Sequence, residues 1–232
     1  MKLNTREWGS GDRTALLVHG IMSDSRSWRR VGPALAGLGY HVIAVDLRGH
    51  GASGRGEYSP ELFADDLVET APQGVELAIG HSLGGLTLAG AVDRLRPQRA
   101  VYVDPAWRFP AAGEGFDPAM FVDFAATATH DSVAALNPRW EEADIQVELE
   151  TFAVWDGASA LALSALAGTS VQPDKPVVPS LVMLADPSFL VGPEEAAQLS
   201  EHGFEVRTVT GAGHTIQRDD FDGFMTALEG WI

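Results

Sequence analysis

The sequence predicts an α/β fold: a mostly parallel sheet of about seven strands with helices on both faces. Three observations carry the prediction. Short β-rich runs alternate with longer helical patterns. Several of those runs, such as "ALLV" and "VIAV", are continuously apolar, as strands buried on both faces are. One long stretch, from Trp107 to Gly168, reads as helical with no strand in it. At 232 residues, 45% of them hydrophobic, the chain can bury the core of one such domain.

In chain order, "KLNTREW" opens as a strand, and its tight "GSGD" link to the strand "RTALLVHG" predicts that these two pair antiparallel. "SRSWRRVGPALAGLG" is helical and leads to the strand "HVIAVDLRG". "SPELFADDLVETA" is a helix with Ser59 as N-cap and Pro60 in the first helical position. The strands "VELAIG" and "RAVYVDPA" enclose the helix "LGGLTLAGAVDRL". After the helical stretch come the strand "PSLVMLAD", the helix "GPEEAAQLSEHG", the strand "FEVRTVTG" and the helix "DDFDGFMTALEGWI". The predicted organisation is a core of residues 1–106 and 169–232, with 107–168 a helical lid inserted after the strand ending near Asp104. Such a lid would cover the carboxyl edge of the sheet, where open α/β sheets bind ligands.

Charge and composition narrow the function. The formal net charge is −16, from 32 acidic and 16 basic residues. That balance argues against nucleic acid or an anionic membrane as partner, since phosphate recognition needs a concentrated basic surface. With no cysteine, disulfides, thiolate catalysis and Cys-ligated metals are excluded. The amino terminus is charged and polar where a secretory signal would be apolar, and no segment approaches the roughly 20 apolar residues of a membrane span, so a cytoplasmic protein is expected.

The chemistry is concentrated in Gly80-His81-Ser82-Leu83-Gly84, a G-x-S-x-G pattern between a strand and a helix. A sharp strand-to-helix turn would crowd bulky residues two positions to either side of the serine; glycines at 80 and 84 relieve that. Ser82 then stands at a helix start, where free N–H groups favour negative charge. A serine nucleophile needs a base oriented by an acid. Among seven histidines, His214 lies between the last strand and the last helix, at the same sheet edge as Ser82. Two aspartates follow strands at that edge, Asp186 in "LVMLAD" and Asp104 in "VYVDPA". Asp186 is the first choice, because its strand directly precedes the one leading to His214, and Asp104 is the alternative acid. Asp46 reads as a structural carboxylate tying down the "RGHG" turn. The oxyanion hole requires backbone N–H groups, expected from Leu83 and from Ile21 in "HGIMSDSRSW".

With these motifs in hand, the chain resembles the α/β-hydrolase superfamily, in particular its small, lid-bearing serine esterase-like members. His19-Gly20 matches the oxyanion loop, "DLRGHGASG" the Asp-x-x-Gly-x-Gly-x-Ser turn, "GHSLGG" the nucleophile elbow and "GAGH" the histidine loop. The resemblance implies the α/β-hydrolase fold, a triad in the chain order Ser82, Asp186, His214, and acyl transfer to water without a metal or organic cofactor. A serine at the elbow disfavours the aspartate-dependent dehalogenases and epoxide hydrolases of this fold. Hydroxynitrile lyases, perhydrolases, thioesterases and lactonases keep a serine triad and stay open, as does a receptor-like ligand-binding protein with vestigial hydrolysis. The partner is expected to be a small, largely apolar molecule, bound by a monomer or homodimer. Its pocket is expected from Met22, Trp28, Trp107, Phe109, Phe121, Phe124 and Trp155.

Overall fold

The computed structural model describes residues 1–111, 113–114 and 117–232. Its sheet has seven strands: β1 (Thr5–Trp8), β2 (Arg13–Val18), β3 (Tyr40–Val45), β4 (Leu77–His81), β5 (Arg99–Val103), β6 (Ser180–Leu184) and β7 (Glu205–Thr208). They lie in the order β1-β3-β2-β4-β5-β6-β7, and every pairing is parallel except β1 with β3. This is the α/β-hydrolase fold that the sequence predicts.

One pairing differs from expectation. β1 pairs antiparallel with β3, Thr5 opposite Val45, and does not pair with β2. Both edges of β2 are taken by parallel partners, β3 and β4, so no edge is left for β1. The short link crosses the start of β3 instead. It passes so closely that a Cβ on Gly11 would lie 1.9 Å from the Gly39 carbonyl oxygen.

Alternation along the central strands sends side chains to two separate cores. Leu16 and Val18 join the layer under α2 (Pro60–Thr70) and α3 (Leu83–Leu95), where Phe63, Leu67 and Leu88 are fully buried. Ala15 and Leu17 face the other way, toward α1 (Val31–Gly37) and the carboxyl-terminal helices, with Trp28, Leu35 and Phe224. The α2 start is as read: Ser59 Oγ accepts the Leu62 N–H at 3.2 Å, and Pro60 occupies the first turn, where its missing donor costs nothing.

Between β5 and β6 come α4 (Ala119–Thr127), α5 (His130–Leu136), α6 (Glu142–Val154) and α7 (Ala158–Leu161). Residues 112, 115 and 116 of the predicted insertion lie outside the described residues. The two ends of the insertion are tied together: the Phe109 N–H donates to Thr169 O at 3.0 Å and the Val171 N–H to Trp107 O at 2.7 Å. After β6 follow α8 (Pro193–Glu201), then β7, α9 (Ile216–Asp219) and α10 (Phe221–Ala227). Among the described residues, no helix is long and apolar enough to cross a membrane.

Ion pairs hold α6 against the core. Arg29 grips Asp144 with both Nε (2.8 Å) and Nη2 (2.7 Å), and Asp144 is buried. Arg26 pairs with Glu150, Arg30 with Glu141, and the buried Arg218 with Glu148 at 2.6 Å. A bidentate guanidinium–carboxylate contact fixes orientation as well as distance.

Candidate active site

Ser82 sits where β4 turns into α3, with φ 53° and ψ −114°, a conformation that L residues rarely hold. The turn is tied from both sides. The Ser82 N–H donates to Val103 O at 3.0 Å, and the Ser82 carbonyl accepts from Gly85 and Leu86 in the first turn of the helix. The flanking glycines are required by contact. A Cβ on Gly80 would lie 2.3 Å from the Gly84 oxygen, and one on Gly84 would lie 2.2 Å from the Val18 oxygen.

The segment after β2 comes up against this elbow: a Cβ on Gly20 would lie 3.2 Å from the Ser82 Cβ. Ile21 and Leu83, the expected oxyanion donors, both line the same cleft as Ser82. His19 fixes the loop from behind. Its Nδ1 donates to Gly20 O at 2.7 Å, and its Nε2 accepts the Leu47 N–H at 2.9 Å, which requires a neutral ring with the proton on Nδ1. Burial pushes the pKa of His19 down, in keeping with that neutral form. The Asp46 carboxylate accepts from the N–H groups of Ser25 and Ala52, tying the following turn as the sequence reading expects, and those bonds hold it below the usual carboxylate range despite burial.

The aspartate in contact with the imidazole is the alternative, Asp104, and not the first choice, Asp186. His214 Nδ1 stands 2.6 Å from Asp104 Oδ2, and Asp104 is fully buried at the end of β5 with φ 38°. Asp104 Oδ1 accepts the Ala185 N–H at 3.3 Å, so both oxygens of the carboxylate are engaged. Asp186 is exposed, and its Oδ2 accepts the Gly211 N–H at 3.1 Å. It braces the loop that carries His214 instead of touching the imidazole. The reason is geometric: β5 lies directly beside the elbow strand β4, and the left-handed backbone at Asp104 closes that strand under the histidine loop.

His81, unassigned by the sequence reading, completes this support. Its Nε2 donates to His214 O at 2.9 Å, and the two rings lie 4.7 Å apart. Burial, reinforced by neighbouring His214, holds the His81 pKa well below the ordinary histidine range, so the ring is a neutral donor.

Around Ser82 and His214 opens a cleft of about 1440 Å3. Met22, Phe109, Phe121 and Phe124 line it as the sequence reading expects; Trp28, Trp107 and Trp155 do not. Trp28 is buried under the sheet against Phe224. Trp107 packs on Tyr102 with ring centres 4.9 Å apart and donates to Gly85 O. The Trp155 indole donates to Ser159 Oγ at 2.8 Å. For Trp107 and Trp155 the large ring is spent on packing and a satisfied N–H, whereas Trp28 is spent on packing alone, its buried Nε1 having no hydrogen-bond partner among the described residues. Their places on the cleft are taken by Phe152, Trp140, Leu136 and Phe189, among others. Phe152 lies in α6 and Trp140 in the turn before it, and the position of neither carries a sign that it meets the cleft.

The alpha/beta hydrolase family model matches residues 15–227. N-formylmaleamate deformylase of Pseudomonas putida is 28% identical over 243 aligned positions, covering 95% of this chain and 89% of that protein. The pimeloyl-[acyl-carrier protein] methyl ester esterase of Sodalis glossinidius is 36% identical over 129 positions, covering 53% of this chain and 49% of its own. Among solved structures, the N-formylmaleamic acid deformylase of Pseudomonas putida S16 superimposes with a TM-score of 0.79 at 25% identity, over 97% of this chain and 94% of that one. An esterase of Exiguobacterium antarcticum does so with a TM-score of 0.78 over 99% and 94%; at 17% identity this is a likeness of fold alone.

Proposed function

Since the chain is a hydrolase that belongs to the alpha/beta hydrolase family, we propose that it is a serine hydrolase cleaving an ester-type bond of a small, largely apolar substrate through an acyl-enzyme. One observation carries the reading: the 2.6 Å contact between His214 Nδ1 and the buried Asp104 carboxylate, on the wall of the cleft that holds the strained Ser82. An imidazole whose Nδ1 donates to a carboxylate keeps its Nε2 lone pair basic.

Each step then has a residue. His214 Nε2 takes the Ser82 proton as Oγ bonds to the substrate carbonyl carbon. The N–H groups of Ile21 and Leu83 receive the oxyanion, at a site preorganised by the Gly20 approach and the start of α3. As the carbon–oxygen bond to the leaving alcohol breaks, His214 returns the proton to that oxygen, then activates water to free the acyl group. Asp104 holds the tautomer and stabilises the imidazolium. Residues 107–168 serve as the lid of this reading, and the four phenylalanines Phe109, Phe121, Phe124 and Phe152 supply its apolar wall.

The relative named a deformylase, aligned over nearly the whole chain, favours a second bond class, an amide-type carbonyl on nitrogen. The same residues serve it, with nitrogen in place of oxygen as the leaving atom. Ser82→Ala tests the serine reading: it is expected to abolish both turnover of aryl esters and formamides and labelling by an organophosphonate. Undiminished labelling would refute it. A binding protein with vestigial chemistry would instead give one slow event per molecule.

A further inference from the structure

The loop between β6 and α8, which the triad does not use, carries an aromatic ring at the catalytic base. Phe189 is 75% exposed, yet its ring centre lies 5.0 Å from that of His214, and it lines the cleft. Its position is built. Ser188 Oγ accepts the N–H groups of Leu190 (3.2 Å) and Val191 (3.0 Å), and Val191 is buried in the core below. Phe189 is not alone: Leu136, at the end of α5, is 65% exposed and Met120, in α4, is 55% exposed, and both line the same cleft. Three separate segments thus put large apolar side chains into water around one opening, as grooves that bind apolar ligands do.

We propose that Phe189 is a specificity-determining residue for the leaving group, and that this group is an aryl or bulky alkyl alcohol, or its amine counterpart, bound between Phe189, Leu136 and Met120. The inference rests on the serine-hydrolase reading and deepens it. When the bond to the leaving oxygen breaks, the proton that balances it comes from His214 Nε2, so the atoms carried by that oxygen lie beside the imidazole. The exposed ring beside the imidazole is Phe189, tilted 49° to it, while His81, the other ring in contact with it, is buried. The acyl part, bonded to Ser82 Oγ, is assigned in this proposal to the oxyanion loop and the lid phenylalanines, which line the same cleft.

The test is a pair of ester series, one with a fixed acyl group and methyl, butyl or benzyl alcohol, the other with methyl alcohol and a lengthening acyl chain. In Phe189→Ala the benzyl-to-methyl ratio of kcat/KM is expected to fall about tenfold, equivalent to roughly 1.4 kcal/mol, with Phe189→Leu recovering part of it. The preference along the acyl series stays as in the wild type. Leu161→Ala, which removes an exposed leucine off the cleft, leaves the benzyl-to-methyl ratio unchanged. An unchanged ratio in Phe189→Ala, an equal loss on every substrate, or a shift confined to the acyl series would overturn the assignment. A second arm does not depend on turnover. Benzyl alcohol binding to Ser82→Ala protein, followed by NMR, should weaken several-fold when Phe189→Ala is added; equal affinity counts against the proposal even if no ester is hydrolysed. Loss of all turnover with this binding effect intact would fault the serine chemistry alone.

Discussion

Replacing Asp104 by asparagine alters one atom at the imidazole and almost nothing in volume. The carboxylate now makes two contacts of opposite sides: Oδ2 with His214 Nδ1 at 2.6 Å, and Oδ1 with the Ala185 N–H at 3.3 Å. Asparagine can satisfy only one of them. With its oxygen toward Nδ1, the amide NH2 meets the Ala185 N–H, donor against donor, in a fully buried position where an unmatched pair costs about 1–3 kcal/mol. With its oxygen toward Ala185, the NH2 donates to Nδ1. The imidazole proton is then forced onto Nε2, which can no longer accept from Ser82. The second orientation wins because it leaves no buried donor unpaired, so kcat is expected to fall about 10⁴-fold, the loss found for this tautomer reversal in other triads, or roughly 5.5 kcal/mol. Steady-state hydrolysis of an aryl ester measures it, with a thermal melt to show that the fold is kept. Asp186→Asn is the matched control: an amide oxygen still accepts the Gly211 N–H, so activity should stay within about threefold. Activity of Asp104→Asn within tenfold of wild type, or an equal loss in Asp186→Asn, would refute the assignment of the acid.

Two other outcomes concern stability. Arg29→Met strips the buried Asp144 of its bidentate partner, leaving it, among the described residues, Arg218 Nε at 3.8 Å as its cation, and should cost about 3 kcal/mol in urea unfolding; a change below about 1 kcal/mol would show that α6 is not held by this pair. Burial, and then neighbouring His19, lowers the His50 pKa to about 3, so between pH 6.5 and 3 the unfolded chain binds a proton that the folded chain does not. Stability should therefore fall with decreasing pH across that window, with His50 contributing about 1.4 kcal/mol per pH unit. His50→Gln should flatten the slope by that amount, and an equal slope in the variant would contradict the assignment.

The sheet and the elbow were legible because their signals are local. Apolar runs of three to five residues ending in glycine, aspartate or proline turns mark β2 to β6, and the glycines at 80 and 84 answer contacts made within the same turn or with the neighbouring strand β2. The partner of β1 was not legible, because the short link reads as a hairpin and the competition for the edges of β2 is a property of the whole sheet. The choice between Asp104 and Asp186 turned on a positive φ at Asp104, which no residue type announces: aspartate tolerates it without demanding it. The tryptophans misled for a related reason. Trp28, Trp107 and Trp155 are large enough to line any cavity, but each instead sits in ordinary packing, and which face of a lid helix turns inward is set by ion pairs such as Arg29–Asp144 that join residues more than a hundred positions apart.

Because the carboxylate at His214 comes from β5, the loop from Pro187 to Leu190 carries none of the three triad side chains. On the proposed reading, the triad acid and the leaving-group contact belong to different strand ends, those of β5 and β6. A library randomised at Pro187, Ser188, Phe189 and Leu190 would vary the surface beside the base while Ser82, Asp104 and His214 keep their own supports. On the proposed reading, such a library would vary the range of leaving groups without replacing a triad side chain.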